Sequence, residues 1–559
     1  MNIIRKQRLG IYLCLIICLC LLLNAFIPIA AKGLKSNQSN RPVPLLKNLG
    51  NYHHKITTNS PKAQQYFDQG LISVFGFNHA EGLRLFQQAT KLDPNCAMCY
   101  WGIALSLGPH VNAPMGQDSM PVAYEAIQKA RQLSNQVSPL EQAYIKALSP
   151  RYSAQPVDDR TSLDFAYAQA MEELSNQYPE DLDAATLSAE SLMDLMPWNY
   201  WTEGGKPRPE TKKVLNTLES VLAKNPQHPG ATHYYIHAVE ASDHPEKAEI
   251  AADNLRNLIP GSGHLVHMPS HIYRRVGRYH DAAEVNQKAI AADETYLARS
   301  QEKGLYSALY YPHNIHFFWS VASIEGRSED AIAAARKLVS KVSAAQVEQF
   351  PVAEMFLPTP YFSLVQFQQW DEMLTEPKPL AQFPYTLAMW HYGRGMAWAA
   401  KENLAQTIQE KQQLEAFLGQ DNLPTLENAS IPAYALIEIA DELLAAKIAS
   451  LQGKQTQAIA YYQAATNHQY QLPYMEPPHW YYPIRQSLGA SLIQQGKAKE
   501  AEAVYREDLQ QHPQNGWSLF GLAESLKAQG KPEQATQIQA EFEKSWSHAD
   551  IKLTVANLS

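Results

Sequence analysis

The chain lacks an excess of positive charge: 47 Lys and Arg stand against 55 Asp and Glu, a net charge of -8 over 559 residues. Nothing is left over to neutralise a phosphate backbone, which excludes a nucleic acid as the expected partner. Cysteine is scarce at five residues, too few for a disulfide-built scaffold. Three of the five (Cys14, Cys18 and Cys20) fall in one N-terminal apolar run. Long apolar runs are otherwise missing, so no second membrane span is expected. Signatures of several enzyme classes are missing too. There is no Gly-x-Ser-x-Gly elbow, and GSGH at 261–264 is not followed by the Lys-Ser/Thr of a phosphate loop. No catalytic set is therefore assigned. With 45% hydrophobic and 18% charged residues, the composition is that of an ordinary globular protein.

The one apolar run follows Arg5, Lys6 and Arg8 and extends from Ile11 to Ala31, with Asn24 its only strongly polar residue. A basic start, an apolar stretch and small residues at Ala30 and Ala31 are the parts of a secretory signal. The 21 residues also suffice for a retained membrane anchor. In both cases the basic flank stays cytoplasmic and the body is exported, to a periplasmic or other extracytoplasmic location. Membrane contact is expected only through this segment. Residues 32–60 read as a polar tether.

Self-comparison reveals repeats. Leu488, Leu492, Gly496, Lys497 and Ala501 recur 34 residues later as Leu522, Leu526, Gly530, Lys531 and Ala535. Gly277, Arg278, Asp281 and Ala282 recur 49 residues later as Gly326, Arg327, Asp330 and Ala331, one period plus an insert of 15. Gly70, Phe86, Ala89 and Pro94 carry the same pattern near the N-terminus. Small residues let two helices approach closely, glycine supplies the turn between them, and proline ends the second. A single helix pair cannot bury its apolar face, so pairs must stack.

The chain thus resembles tetratricopeptide-repeat proteins, the exported bacterial ones among them. The resemblance is strongest at 63–105, 229–340 and 439–545. It implies an all-α fold, a right-handed superhelix (α-solenoid) of antiparallel helix pairs with loop insertions and no sizeable sheet. The expected layout is an N-terminal solenoid over 61–350, a proline-rich joint over 351–384 and a C-terminal solenoid over 385–550. Loops are expected at 107–120, 197–209 and 472–483. Their aromatics (Trp198, Tyr200, Trp201, His479 and Trp480) suit the roof of a groove.

Histidine is the concentrated residue. Ten of the nineteen lie between His228 and His316. His233 and His237 precede His267 and His271 by 34 residues, and His264 and His267 precede His313 and His316 by 49. Spacings of three and four put side chains on one helix face. The resemblance implies that this face looks into the concave groove where such proteins bind protein, peptide or small ligands. His233, His237, Glu240, His264, His267, His271, Arg274, His313 and His316 are therefore the candidate groove residues.

Two chemistries remain open for them. As a groove they hydrogen-bond a peptide or an acidic ligand. As a metal centre, His233, His237, His267 and His271 hold Zn, Cu or Fe, because imidazole suits these ions. The two differ in geometry: ligands must bring their nitrogens together, whereas groove residues spread along a wall. Arg274 lies 34 residues after Glu240, so an ion pair between them is expected. Apart from the histidines, Cys96 and Cys99 form a CxxC at a helix start, a candidate disulfide or redox pair.

Overall fold

The computed structural model describes residues 44–202, 205–300, 302–418 and 423–558. The expected signal or anchor at 1–31 and the start of the tether lie outside these. Among the described residues there is no strand longer than an isolated bridge, and no helix is long and apolar enough to cross a membrane. The chain divides into two units: residues 44–272 with 291–306, and residues 273–290 with 307–558.

Helices of the first unit run α1 (Pro61–Phe75), α2 (His79–Leu92), α3 (Ala97–Leu107), α4 (Ser119–Leu133), α5 (Pro139–Leu148), α6 (Thr161–Gln177), α7 (Leu182–Asp194), α8 (Pro209–Lys224), α9 (Pro229–Val239), α10 (Glu249–Leu255) and α11 (Gly263–His267). Next come α12 (Pro269–Arg275) and α13 (Tyr279–Ser300). The second unit continues with α14 (Tyr311–Ile324), α15 (Ser328–Ser340), α16 (Ala344–Gln349), α17 (Thr359–Gln366), α18 (Trp370–Thr375), α19 (Pro384–Ala400), α20 (Leu404–Glu415), α21 (Pro424–Asn428), α22 (Ala433–Leu451), α23 (Gln455–Gln471), α24 (Arg485–Gln494), α25 (Ala498–Gln511), α26 (Gly516–Ala528) and α27 (Pro532–Ser545).

Within each unit successive helices pack as hairpins, α1 on α2, α3 on α4, α24 on α25 and α26 on α27 among them. The matched glycines do the work their recurrence implied. Gly277, Gly326, Gly496 and Gly530 all have positive φ, between 70° and 84°, where a side chain is disfavoured. Small residues sit where helices touch. A Cβ on Gly489 or Gly521 would lie 2.4 or 2.2 Å from the buried Tyr505 ring. Gly521→Ala is expected to cost about 1–3 kcal/mol, the usual price of overpacking. A lowered denaturant midpoint at unchanged slope would register it; an unchanged midpoint would mean that Tyr505 has room to move.

Three expectations are corrected. Residues 44–60 are not a loose tether. Leu49 and Ile56 are buried, Leu46 exchanges two hydrogen bonds with the Gln69 side chain, and Thr57 donates from both its N–H and its hydroxyl to Glu141. Residues 351–384 are not a joint between solenoids but part of the second unit. Pro351, Pro360 and Pro384 occupy first-turn positions, where a missing N–H costs nothing, so they start helices rather than break the chain. The division of the chain also falls elsewhere: it runs through the histidine-rich region instead of after it, and places His313 and His316 in the second unit. The three expected loops are non-helical over 108–118, over 195–202 with 205–208, and over 472–484.

Candidate metal centre

The first unit gathers its histidines through α9, which packs against α1, α7 and α8. Pro229 starts α9, and the preceding His228 caps it by accepting the Ala231 N–H at Nδ1, 3.2 Å away. Four-residue spacing then stacks His233 and His237 on one face, ring centres 4.8 Å apart. His264 enters from α11. It follows Gly263, where a Cβ would collide with the Asp293 carboxylate at 1.9 Å, so only glycine lets α11 lie this close.

His233, His237 and His264 each bring one ring nitrogen to a common point, all within 4.8 Å of one another. The nearest pair is His233 Nε2 and His264 Nε2 at 3.1 Å. All three are buried, at 0%, 2% and 2% exposure. This arrangement is a gathered centre, not a set of rings spread along an exposed wall.

The far side of each imidazole decides what the near side offers. His233 Nδ1 donates to the Phe75 carbonyl, 2.5 Å away at the end of α1. Its Nε2 is then the nitrogen with the lone pair. His237 Nδ1 donates to Glu240 Oε1 at 2.8 Å, and His237 Nε2 is buried without a hydrogen-bond partner. Glu240 Oε2 accepts in turn from His271 Nδ1. The carboxylate is fully buried; burial would raise its pKa, but His271 and His237 hold it at about 2. It is therefore an anion that fixes two imidazoles with their Nε2 atoms outward. A carboxylate behind a histidine is the usual second layer of a metal site. Burial lowers the pKa of His233 well below the ordinary imidazole range, with the neighbouring His237 adding to it. Burial lowers that of His237 against the opposing pull of Glu240. Both rings are neutral at neutral pH, the form that ligates.

Phe77 sits among these rings, with centroids 4.6, 5.6 and 5.7 Å from those of His233, His237 and His264. Its backbone holds a positive φ of 55°, unusual for a bulky residue. On its other side it stacks on His110 at 4.8 Å, and His110 leans on His79 at 4.4 Å. Burial lowers the pKa of His110 and takes that of His79 to about 4. Trp198, 47% exposed in the 195–208 loop, sets its edge against His237 at 5.2 Å, and Trp201 Nε1 donates to the Ala238 carbonyl. That loop thus roofs the centre, while Tyr200 beneath it is buried.

The expected metal set was His233, His237, His267 and His271. The structure joins His264 to the first two instead. His267 and His271 meet at Nε2 to Nε2, 2.9 Å apart, and His271 is tied to the trio through Glu240. The reason is Pro269. It starts a new helix after a single turn, so the His264-to-His271 stretch is not the one continuous face that the 34-residue register assumed. The expected Glu240–Arg274 pair is also replaced. Glu240 is occupied by two imidazoles, and Arg274 Nη1 pairs with Glu476 Oε2 at 2.9 Å in the second unit. His313 and His316 lie on α14 in that unit, where His316 stacks on Trp319. There His479 has its pKa lowered to about 4 by burial, and Trp480 packs its ring against Phe362 and Tyr392. Cys96 and Cys99 are disulfide-bonded at the start of α3 and fully buried.

Phe75, Phe77, His79 and His110 border the centre without a signal in the sequence pattern. The carbonyl of Phe75 has no side-chain signature, and His79 and His110 stand outside the repeat register.

Residues 492–540 match the model of the tetratricopeptide repeat, over the very segment where the 34-residue recurrence is plainest. That segment carries the tetratricopeptide repeat. No curated protein matches it. Among solved structures, it is similar to a human IFIT1 dimer with m7Gppp-AAAA at 12% identity, covering 88% of this chain and 91% of that one, with a TM-score of 0.32. Yeast Tom70 gives 13% identity, 88% and 92% coverage and a TM-score of 0.25. Naa15/Naa10 bound to HypK gives 11%, 89%, 91% and 0.24. Likenesses this distant carry nothing about ligand or partner.

Proposed function

We propose that this protein is an exported tetratricopeptide-repeat scaffold that holds a transition-metal ion on His233, His237 and His264. The observation that carries the reading is the convergence of three buried imidazole nitrogens within 4.8 Å, two of them with their Nδ1 held by acceptors behind. The spacing suits such an ion. With nitrogen about 2.1 Å from zinc, a tetrahedral site sets its ligand nitrogens about 3.4 Å apart. His233 and His264 stand at 3.1 Å, so small ring rotations of His237 complete the set. Neutral imidazoles suit Zn, Cu and Fe, and carboxylates without imidazole would suit Mg or Ca instead. Three protein ligands leave a position for an exogenous ligand, with Trp198 bordering it. Export is supported by the basic and apolar leader and by the Cys96–Cys99 bridge, which persists in oxidising compartments.

Burial favours the metal over a peptide groove: a peptide cannot reach rings exposed by 2% or less without opening the fold. The test is metal content of the exported body, residues 32–559, purified without a histidine tag, beside a His237→Ala/His264→Ala variant. The expected outcome, after a brief chelator wash that clears surface ions, is near one equivalent of metal in the wild type and none in the variant. No metal in the wild type after incubation with Zn or Cu would overturn the reading.

A further inference from the structure

The second unit brings together another set of ligating side chains from three distant points of the sequence. His280 opens α13, Glu325 follows the end of α14, and His548 lies in the segment after α27. Each offers one ligand atom, and the three lie within 4.8 Å of one another. The imidazoles of His280 and His548 are stacked, with ring centres 3.7 Å apart and planes within 5°.

The carboxylate and the backbone around it are held in place. His280 Nδ1 and Glu325 Oε1 stand 3.2 Å apart, the separation of two ligand atoms on one ion. Glu325 is almost fully buried, and Arg327 Nη1 fixes its second oxygen at 3.0 Å. The segment bearing His548 is docked on the same turn. Asp550 accepts the N–H groups of Ser328 and Glu329 at 2.8 and 3.0 Å, capping α15, and its own N–H donates to the Gly326 carbonyl. Trp546 packs so closely on Gly326 that a Cβ there would lie 2.3 Å from its ring. The donors are thus preassembled on anchored backbone, so little ordering remains to be paid on binding.

We infer that His280, Glu325 and His548 form a second metal site, at the surface, which takes a divalent transition ion such as Zn²⁺ and clamps the C-terminal segment onto the α14–α15 turn. Two imidazoles beside a carboxylate suit Zn²⁺, Ni²⁺ and Cu²⁺, with water filling the exposed positions. Both rings must tilt out of the parallel stack for their lone pairs to converge. Their exposure leaves space for that, since the His280 side chain is 45% exposed and His548 lies at the surface. The inference stands apart from the centre of the first unit: the residues are different, and a surface ion exchanges readily with a chelator.

The test is a calorimetric titration of the tag-free, chelator-stripped protein with Zn²⁺. It compares the wild type, His548→Ala, His280→Gln and His237→Ala/His264→Ala, with amide exchange of residues 546–551 followed with and without zinc. His548→Ala and His280→Gln are each expected to remove one equivalent, or to weaken it at least about tenfold, the smaller effect of losing even a supporting group. Zinc is expected to slow exchange over 546–551 in the wild type and not in these variants. Equal zinc equivalents in the wild type and His548→Ala, with exchange unchanged by zinc, would overturn the inference. An equivalent that disappears only in His237→Ala/His264→Ala would support the buried centre and sink this one. One that disappears only in the His280 and His548 variants would do the reverse.

Discussion

Glu240→Gln is expected to weaken metal binding in the first unit by about 10–100-fold while leaving the fold intact. The carboxylate accepts two N–H bonds at once, from His237 and from His271. An amide of the same shape accepts from only one of them, because its other terminus is itself a donor. One imidazole must then move its proton to Nε2 or turn away. If that ring is His237, the lone pair aimed at the ion is lost. The amide also removes the buried anion that offsets the charge of a bound cation. A hundredfold loss corresponds to about 2.7 kcal/mol. Competition titration against a chromophoric chelator reads the change. Affinity equal to the wild type would show that Glu240 only fills space behind the rings. Glu240→Ala gives the contrast: it leaves both N–H donors buried without an acceptor, and each such loss costs about 1–3 kcal/mol of stability besides.

The repeats were legible because their physics is local. A glycine at positive φ and small residues at a helix contact leave a trace at a fixed period, and Gly496 and Gly530 keep that role in the structure. The histidine cluster was legible as a cluster for the same reason. Which rings meet was not, because that depends on where helices break. Extrapolating the 34-residue register from α9 assumes a continuous partner helix, and Pro269 divides that stretch into α11 and α12. The break turns His264 toward His233 and leaves His267 facing His271. Arg274 illustrates the same limit: the register pointed it at Glu240, yet it pairs with Glu476, some two hundred residues on. Contacts made by backbone atoms leave no residue-type signal at all, as with the Phe75 carbonyl behind His233. The docking of residues 44–60 was hidden because their polar composition imitates a linker, whereas their polar groups are spent on specific partners such as Asp183.

Asp183→Ala is expected to destabilise the first unit by about 2–4 kcal/mol, somewhat under the cost of stripping one member from a fully buried charged network, because Asp183 and His54 keep slight exposure. Asp183 Oδ2 receives His54 Nδ1 at 2.6 Å, Oδ1 receives His228 Nε2 at 3.0 Å, and the Tyr52 hydroxyl donates to Oδ1 as well. One carboxylate thereby ties the N-terminal segment to α7 and to the cap of α9, the helix that bears His233 and His237. Tyr144 and Asp181 border the same site, bonded to each other at 2.8 Å. The pH dependence has two limbs. Burial opposes ionisation of Asp183, but hydrogen bonds from His228 and His54 outweigh it and hold its pKa well below the usual carboxylate range. A depressed acid contributes stability above its unfolded pKa of about 3.9 and loses it as the pH falls through the folded value. His54 is shifted the other way: burial lowers its pKa, but the Asp183 hydrogen bond and charge raise it overall. A raised imidazole contributes fully below about 6.5 and loses its share as the pH rises through the folded value. The stability gap between the wild type and Asp183→Ala should therefore be widest between about pH 4 and 6.5 and narrow on both sides. Urea unfolding at pH 3, 5.5 and 8 measures it. A gap that does not change with pH would mean that Asp183 contributes by shape and neutral hydrogen bonds alone, and that α9 is positioned without its charge.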